Sequence, residues 1–92
     1  MFYLISFDVS DDRVRYRVVK ALKGCGVRVQ KSVFECPDLT EKRLAKLQTR
    51  LAGLIDHLTD SVRYYRLCGN CLQEVEWTGT GEAPETRVHL VA

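Results

Sequence analysis

The chain has no apolar run approaching the roughly 20 residues of a membrane-spanning helix, so no membrane partner is expected. Its start does not look like an export signal either. Met1-Phe2-Tyr3-Leu4-Ile5 has no basic stretch before it and no small-residue cleavage site after it. A cytoplasmic location is therefore the expectation. In a reducing compartment the four cysteines, Cys25, Cys36, Cys68 and Cys71, are expected as thiols rather than disulfides. There is little surplus charge of either sign, since 14 Lys and Arg against 12 Asp and Glu leave +2. That is too small to argue nucleic-acid binding by itself, and any such argument rests on where the cations cluster. Internal repeats and low-complexity tracts are absent. The chain also lacks size: 92 residues suffice for one domain. A domain this short buries only about two-thirds of its unfolded surface, and pairing with a second copy is a common way to widen so thin a margin.

What is present, 46% hydrophobic and 28% charged residues, is the composition of a folded soluble domain rather than a disordered chain. Residues 2–7 are apolar on both faces apart from Ser6, the pattern of a central strand, and Asp8 ends it. Ser10 or Asp11 can cap the helix that follows, and Asp11 and Asp12 favour its N-terminus through the helix dipole. Val14, Val18, Ala21, Leu22 and Cys25 form its apolar stripe, and Gly24 and Gly26 stand where it would stop. Residues 27–30 and 33–36 read as two short strands around a Lys31-Ser32 turn, without the Asn-Gly hairpin signature. Pro37-Asp38 breaks the pattern. Thr40 can cap a second helix with a buried stripe of Leu44, Leu47, Leu51, Leu54, Ile55 and Leu58. Gly53 inside that helix costs it roughly 1 kcal/mol. Residues 61–67, rich in Val, Tyr and Arg, read as a strand, and 73–77 as one more.

The order strand, helix, strand, strand, helix, strand is the split βαβ arrangement. The expected class is α+β, a ferredoxin-like βαββαβ sandwich over residues 1–78 with both helices on one face of the sheet. Residues 73–77 have no slot in it and become an added C-terminal edge strand. An exposed apolar edge invites pairing, so Val75 and Trp77 are expected to bury against a partner chain. Residues 79–92 read as a tail, partly flexible or docked on that partner.

Three stretches resemble motifs of the small CRISPR-associated Cas-two family. Phe7-Asp8-Val9-Ser10-Asp11-Asp12 is similar to its strand-end motif, and Gly26-Val27-Arg28-Val29-Gln30-Lys31-Ser32-Val33-Phe34-Glu35 to its most specific stretch. Asp60-Ser61-Val62-Arg63-Tyr64-Tyr65, followed by Leu67-Cys68 and Cys71, is similar to a segment of many members. The resemblance runs from about residue 1 to residue 77, and the tail after Gly79 carries none of it. It implies a ferredoxin-like homodimer acting in CRISPR adaptation. In that process the family's dimer bridges two integrase dimers of the Cas-one family, and together they capture a short foreign DNA and insert it into the repeat array. Some members are also metal-dependent endonucleases that cut single-stranded RNA or double-stranded DNA, and others lack that activity.

Asp8 is the leading candidate residue. A carboxylate at the carboxyl end of a central strand, just before a helix, sits where α/β sheets place ligands. By the resemblance it is a divalent-metal ligand, paired with its copy across the dimer axis. By position alone, a capping or turn aspartate reads as well. Mg²⁺ or Mn²⁺ takes about six oxygens, and one Asp per chain supplies few, so weak binding completed by waters and substrate phosphates is expected. Asp11 and Asp12 read as helix-start residues rather than ligands. Arg15, Arg17, Arg28 and Phe34 match family positions linked to nuclease activity and are the other catalytic candidates. Phe34 lies in an apolar strand, where a core or dimer-interface role is at least as well suited.

Arg13, Arg17 and Lys20 share one face of the first helix, with Arg15 on the opposite shoulder, and Arg43, Lys46 and Arg50 form a second basic row on the other helix. A charge row is usually a solvated face, but two rows on adjacent helices point to phosphate binding. Phe7 is a departure, because members with nuclease activity often carry Tyr there. The missing hydroxyl removes a proton donor or water-positioning group. Cys68 and Cys71 make a single CxxC with no second pair, and His57 and His89 are far apart, so structural zinc lacks its four ligands. A redox role lacks thioredoxin-like surroundings, and an ordinary turn carrying thiols is expected. The leading reading is a scaffolding dimer that holds DNA and integrase during spacer acquisition, with metal-dependent nuclease activity beside it. The alternative is primarily a metal-dependent single-strand endoribonuclease, and a toxin-like ribonuclease or small regulatory domain unrelated to CRISPR is a third.

Overall fold

The computed structural model describes residues 1–74, 76 and 78. β1 (Phe2–Asp8), β2 (Val27–Gln30), β3 (Val33–Cys36) and β4 (Ser61–Leu67) form one sheet in the order β2-β3-β1-β4. Every neighbouring pair is antiparallel. α1 (Asp12–Lys23) joins β1 to β2, α2 (Glu41–Leu54) joins β3 to β4, and a short α3 (Gly69–Gln73) follows β4. The split βαβ order is thus the ferredoxin-like one, and the apolar β1 is flanked by strands on both sides, as its lack of a polar face requires.

Alternation along β1 divides its residues between the two faces of the sheet. Tyr3, Ile5 and Phe7 point toward the helices and join Val18 and Leu22 of α1, Phe34 and Cys36 of β3, and Leu47 and Leu51 of α2 in one core. Burying each such large side chain contributes about 1.5–3 kcal/mol relative to leaving it in water. Phe2, Leu4, Ser6 and Asp8 have the opposite parity. Across the strands, Leu4 stands opposite Tyr65 and Glu35, and Ser6 opposite Arg63 and Val33. Val27 and Tyr65, whose partners Glu35 and Leu4 lie on that second face, are exposed.

The helices start where their caps predict. Asp11 accepts from the amides of Arg13 and Val14 at 2.8 and 3.0 Å, with Asp12 in the first turn and Lys20 and Lys23 in the last. Thr40 Oγ1 accepts the Arg43 amide at 3.2 Å at the start of α2. Val19 adds to the expected stripe of α1 as a buried residue, while Val14 and Cys25 only pack against the core's rim. The stripe of α2 is corrected at its end. The helix stops at Leu54, and Leu58, expected to be buried, is 95% exposed in the following turn. The turn is held by polar groups instead: Asp56 Oδ1 accepts the Leu58 amide at 2.9 Å, and His57 Nε2 lies 2.7 Å from the Ala52 carbonyl near the helix end.

The β2–β3 hairpin forms without an Asn-Gly turn because Arg28 braces it, donating from both Nε and Nη2 to the Lys31 carbonyl. A bulge between Arg28 and Gln30 accommodates the turn. The expected strand over residues 73–77 does not begin there. The Cys71 amide donates to Cys68 Sγ at 3.4 Å and starts a helical turn, so Gln73 closes α3 and Glu74 caps it. Val75, Trp77 and the tail 79–92 lie outside the described residues. No helix among the described residues is long and apolar enough to cross a membrane.

Candidate nucleic-acid and metal site

Asp8 is the last residue of β1, opposite Ser61 at the start of β4, and its side chain is exposed. The backbone on either side of it is clamped. Before it, the Phe7 amide donates to the Ser32 carbonyl at 3.0 Å. After it, Arg15 Nη1 donates to the carbonyl of the buried Val9 at 3.0 Å, and Arg15 is itself held by an ion pair with Asp12. On the β4 side, Asp60 Oδ1 accepts from both the amide and the hydroxyl of Ser10, at 3.1 and 3.2 Å. A rigid strand end thus presents one solvent-facing carboxylate.

Asp60 is visible in the sequence only as part of a motif. A carboxylate just before an edge strand is a frequent turn-former, which is the signal that could have identified it. Its carboxyl is held below the ordinary aspartate value by the Asp56 amide first and the Ser10 amide second, with smaller help from the Thr59 and Ser10 hydroxyls. Because the folded pKa is depressed, the associated stability is present above the ordinary value of 3.8 and is lost as pH falls through the folded value. Asp60→Ala should therefore melt below the wild type at neutral pH, and the gap should narrow as pH is lowered beneath the ordinary aspartate range. Melting curves at several pH values check this, and a gap that stays constant into acid would show that the carboxylate charge is not what holds the Ser10 loop.

The other candidates are distributed differently. Arg15 is tied to the Asp8 loop, and Arg28 to the hairpin turn at the opposite side of the β1 end. Phe34 has no exposed surface and stacks obliquely near Phe7, with ring centroids 6.3 Å apart. Direct contact with a nucleic acid is closed to it, because its strand position points it at the helices. Of the roles expected for it, the position matches packing in the core next to the strand that ends in Asp8. Phe7, where a tyrosine hydroxyl would otherwise stand, is buried in the same cluster.

The basic rows are both on the surface. Arg13, Arg17 and Lys20 are on one face of α1 and, with Asp12 and Tyr16, line a shallow depression. Arg43, Lys46 and Arg50 are exposed along α2, which packs against α1. Arg43 links the two helices, its Nη2 donating to the Gly24 carbonyl at the end of α1 at 3.4 Å.

For a metal, one chain offers little. Among the described residues no three His, Cys, Asp or Glu side chains come together in a group that could hold an ion. Glu35, half-buried on the same sheet face as Asp8, stands opposite Leu4, four positions back along β1, or about 13 Å at strand rise. Desolvation raises its pKa. One chain thus offers a hard cation a single exposed carboxylate at Asp8, and the rest of its roughly six oxygens would have to come from outside the chain.

The sequence profile of the family described as CRISPR associated protein Cas2 matches residues 1–75. The CRISPR-associated endoribonuclease Cas2 1 of Chloroflexus aurantiacus is 47% identical over 87 residues, spanning 94% of this chain and 92% of its own. The crystal structure of Streptococcus pyogenes Cas2 at pH 6.5 matches with a TM-score of 0.77 at 36% identity, covering 86% of this chain and 100% of that one. A chain of a partial Cas6-RT-Cas1–Cas2 complex matches with a TM-score of 0.71 at 29% identity, covering 82% and 87%. Strand order, motif positions and these likenesses coincide over the same residues, and the chain belongs to the CRISPR-associated Cas2 family.

Proposed function

We propose that this chain acts in CRISPR adaptation as a homodimer that holds DNA beside an integrase of the Cas1 family during spacer acquisition. The observation that carries this reading is the pair of surface basic rows, Arg13-Arg17-Lys20 and Arg43-Lys46-Arg50, on two helices packed side by side. Cations spaced along adjacent helices suit a duplex backbone, where each neutralised phosphate releases counterions. The Cas1 partner is supported by the likeness to a chain of a complex that contains Cas1.

The dimer is supported by the second sheet face. Leu4, Val33 and Tyr65 lie across strands there beside Glu35 and Arg63, and Tyr65 is exposed. Asp8 shares their parity, so two copies joined through this face would bring their Asp8 carboxylates toward one another. Their mutual repulsion favours a cation between them. Mg²⁺ or Mn²⁺ held there would neutralise phosphate charge and activate a water. The relatives named endoribonucleases support a nuclease as the second reading, with Asp8 as its metal ligand and Arg15 and Arg28 positioning the loops around it. Phe7 supplies no hydroxyl to that chemistry.

Reversing Arg43, Lys46 and Arg50 together to Glu should weaken duplex-DNA binding and flatten its salt dependence by about 0.9 in slope for each phosphate no longer neutralised, and spacer acquisition in cells should fall with it. Because Arg43 also links the helices, a melting curve of the variant accompanies the titration. Wild-type salt dependence in a folded variant would leave the row a solvated face and overturn the DNA-holding role. Asp8→Asn in the same assay separates the two readings. Acquisition retained with Asp8→Asn makes holding the main role, whereas acquisition abolished with DNA binding intact makes chemistry at Asp8 essential.

A further inference from the structure

Neither the DNA-holding surfaces nor Asp8 makes use of Cys68 and Cys71. The ordinary thiol-bearing turn expected of this CxxC is a more particular arrangement in the fold. Both side chains are exposed, and their Sγ atoms lie 3.1 Å apart. Cys68 is the cap of α3, its Sγ accepting the Cys71 amide at 3.4 Å. The contrast with the buried Cys36 is sharp. Its thiol is pushed up to about 11, by burial first and by Cys25 second. It is chemically inert at neutral pH, because the thiolate is the nucleophile.

We propose that Cys68 and Cys71 form a thiol–disulfide exchange site, with Cys68 attacking and Cys71 resolving, that takes low-molecular-weight disulfides as co-reactant. The Cys68 thiolate attacks one sulfur of a disulfide RSSR. A bond forms between Cys68 and that sulfur, the original S–S bond breaks, and RS⁻ leaves. Cys71 then loses its proton to the departing thiolate and attacks Cys68 Sγ, forming the internal disulfide and expelling the second RS⁻, which takes up the proton that Cys68 released to solvent on ionising. The net change is two protein thiols oxidised and one RSSR reduced to two RSH.

The direction of attack follows from the contacts. When Cys68 is ionised, the Cys71 thiol donates to it first and the Cys71 amide second, and both hold the Cys68 thiol below the ordinary cysteine range. The same thiol–thiol contact pushes Cys71 up. The resolving step is short because the sulfurs are already neighbours, needing only to close to the ~2.05 Å of a disulfide.

The test uses the full 92-residue chain equilibrated in mixtures of reduced and oxidised glutathione, then quenched in acid, alkylated and mapped by mass spectrometry. In the wild type, the peptide carrying residues 68–71 should lose two hydrogens and take up no alkylating agent, while Cys36 stays a free thiol. Cys71→Ser, with no resolving thiol, should accumulate a glutathione adduct on Cys68. Cys68→Ser, which keeps a capping oxygen, should form its adduct on Cys71 several-fold more slowly. Both substitutions are at exposed positions, and circular dichroism checks that each variant is folded. Alkylation of both Cys68 and Cys71 in every glutathione mixture would overturn the proposal. Equal rates of adduct formation in the two variants would overturn the assignment of Cys68 as the attacking thiol.

Discussion

Phe34→Ala is expected to lower folding stability by about 3–5 kcal/mol, enough to unfold much of a domain this small. The side chain is fully buried on β3, opposite Ile5 of β1 and in one core with residues of both helices, and its ring lies near that of Phe7. Removing it leaves a cavity in the core next to the strand that ends in Asp8. The conservative variant decides what the residue is for. Phe34→Leu keeps most of the volume and should cost only about 1–2 kcal/mol, leaving a folded protein in which any DNA binding or cleavage survives. Chemical denaturation of both variants, with DNA titration of the Leu variant, provides the measurement. If Phe34→Leu stays folded but loses nucleic-acid binding or cleavage, Phe34 acts at the substrate and the packing assignment is wrong.

Gly26→Ala should be nearly as damaging. A Cβ at this position would sit 2.2 Å from the carbonyl oxygen of Glu35 and 2.8 Å from Cys36 Sγ. The first is backbone of β3 and cannot swing away, so β2 must separate from β3 or shift along it. Overpacking of this kind typically costs about 1–3 kcal/mol and more where backbone has to move; the upper end is expected here. The other glycines serve as internal controls. Gly24 would place its Cβ no closer than 3.4 Å to the Ala21 carbonyl, and Gly53 would meet nothing within 4 Å. Gly53→Ala, at an exposed position inside α2, should instead stabilise by about 1 kcal/mol through helix propensity. Urea unfolding of the three single variants gives the order. A Gly26→Ala protein as stable as the wild type would mean that β2 is not held against β3 as closely as these distances state.

Gly26 illustrates what was legible in the chain and what was not. As a sequence feature it reads with Gly24 as a helix stop, because both lie at the end of the apolar stripe of α1. Only the placement of β3 shows that its missing side chain makes room for a neighbouring strand. Leu58 is the converse case. Its spacing continues the stripe of α2, yet the helix ends four residues earlier, where Asp56, His57 and Asp60 offer backbone partners that compete with another helical turn. The residues after Leu67 differ for a similar reason. A cysteine capping its own turn wins locally over the strand pattern that begins at Gln73.

The candidate site divides along the same line. Asp8 and the basic rows were legible because their meaning depends on local spacing: a strand end is marked by where the apolar run stops, and a helix face by residues three and four apart. Arg15 and Arg28 were legible by position, but what each side chain holds was not. Asp60 carried no spacing signal at all, since its partner Ser10 is 50 residues away in the chain.

By itself, then, the amino-acid order determined the kind and order of the main elements, the caps at Thr40 and the acidic start of α1, the two basic helix faces and the apolar strand on which Asp8 ends. These depend on hydrogen bonds and side-chain periods that close within a few residues. The tertiary structure alone decided which face of the sheet Asp8 shares, that Phe34 is fully buried in the core, that Asp60 locks the loop after Asp8, and that Gly26 must have no side chain. Each of those depends on groups brought together across strands, and no period along the chain encodes the distance between them.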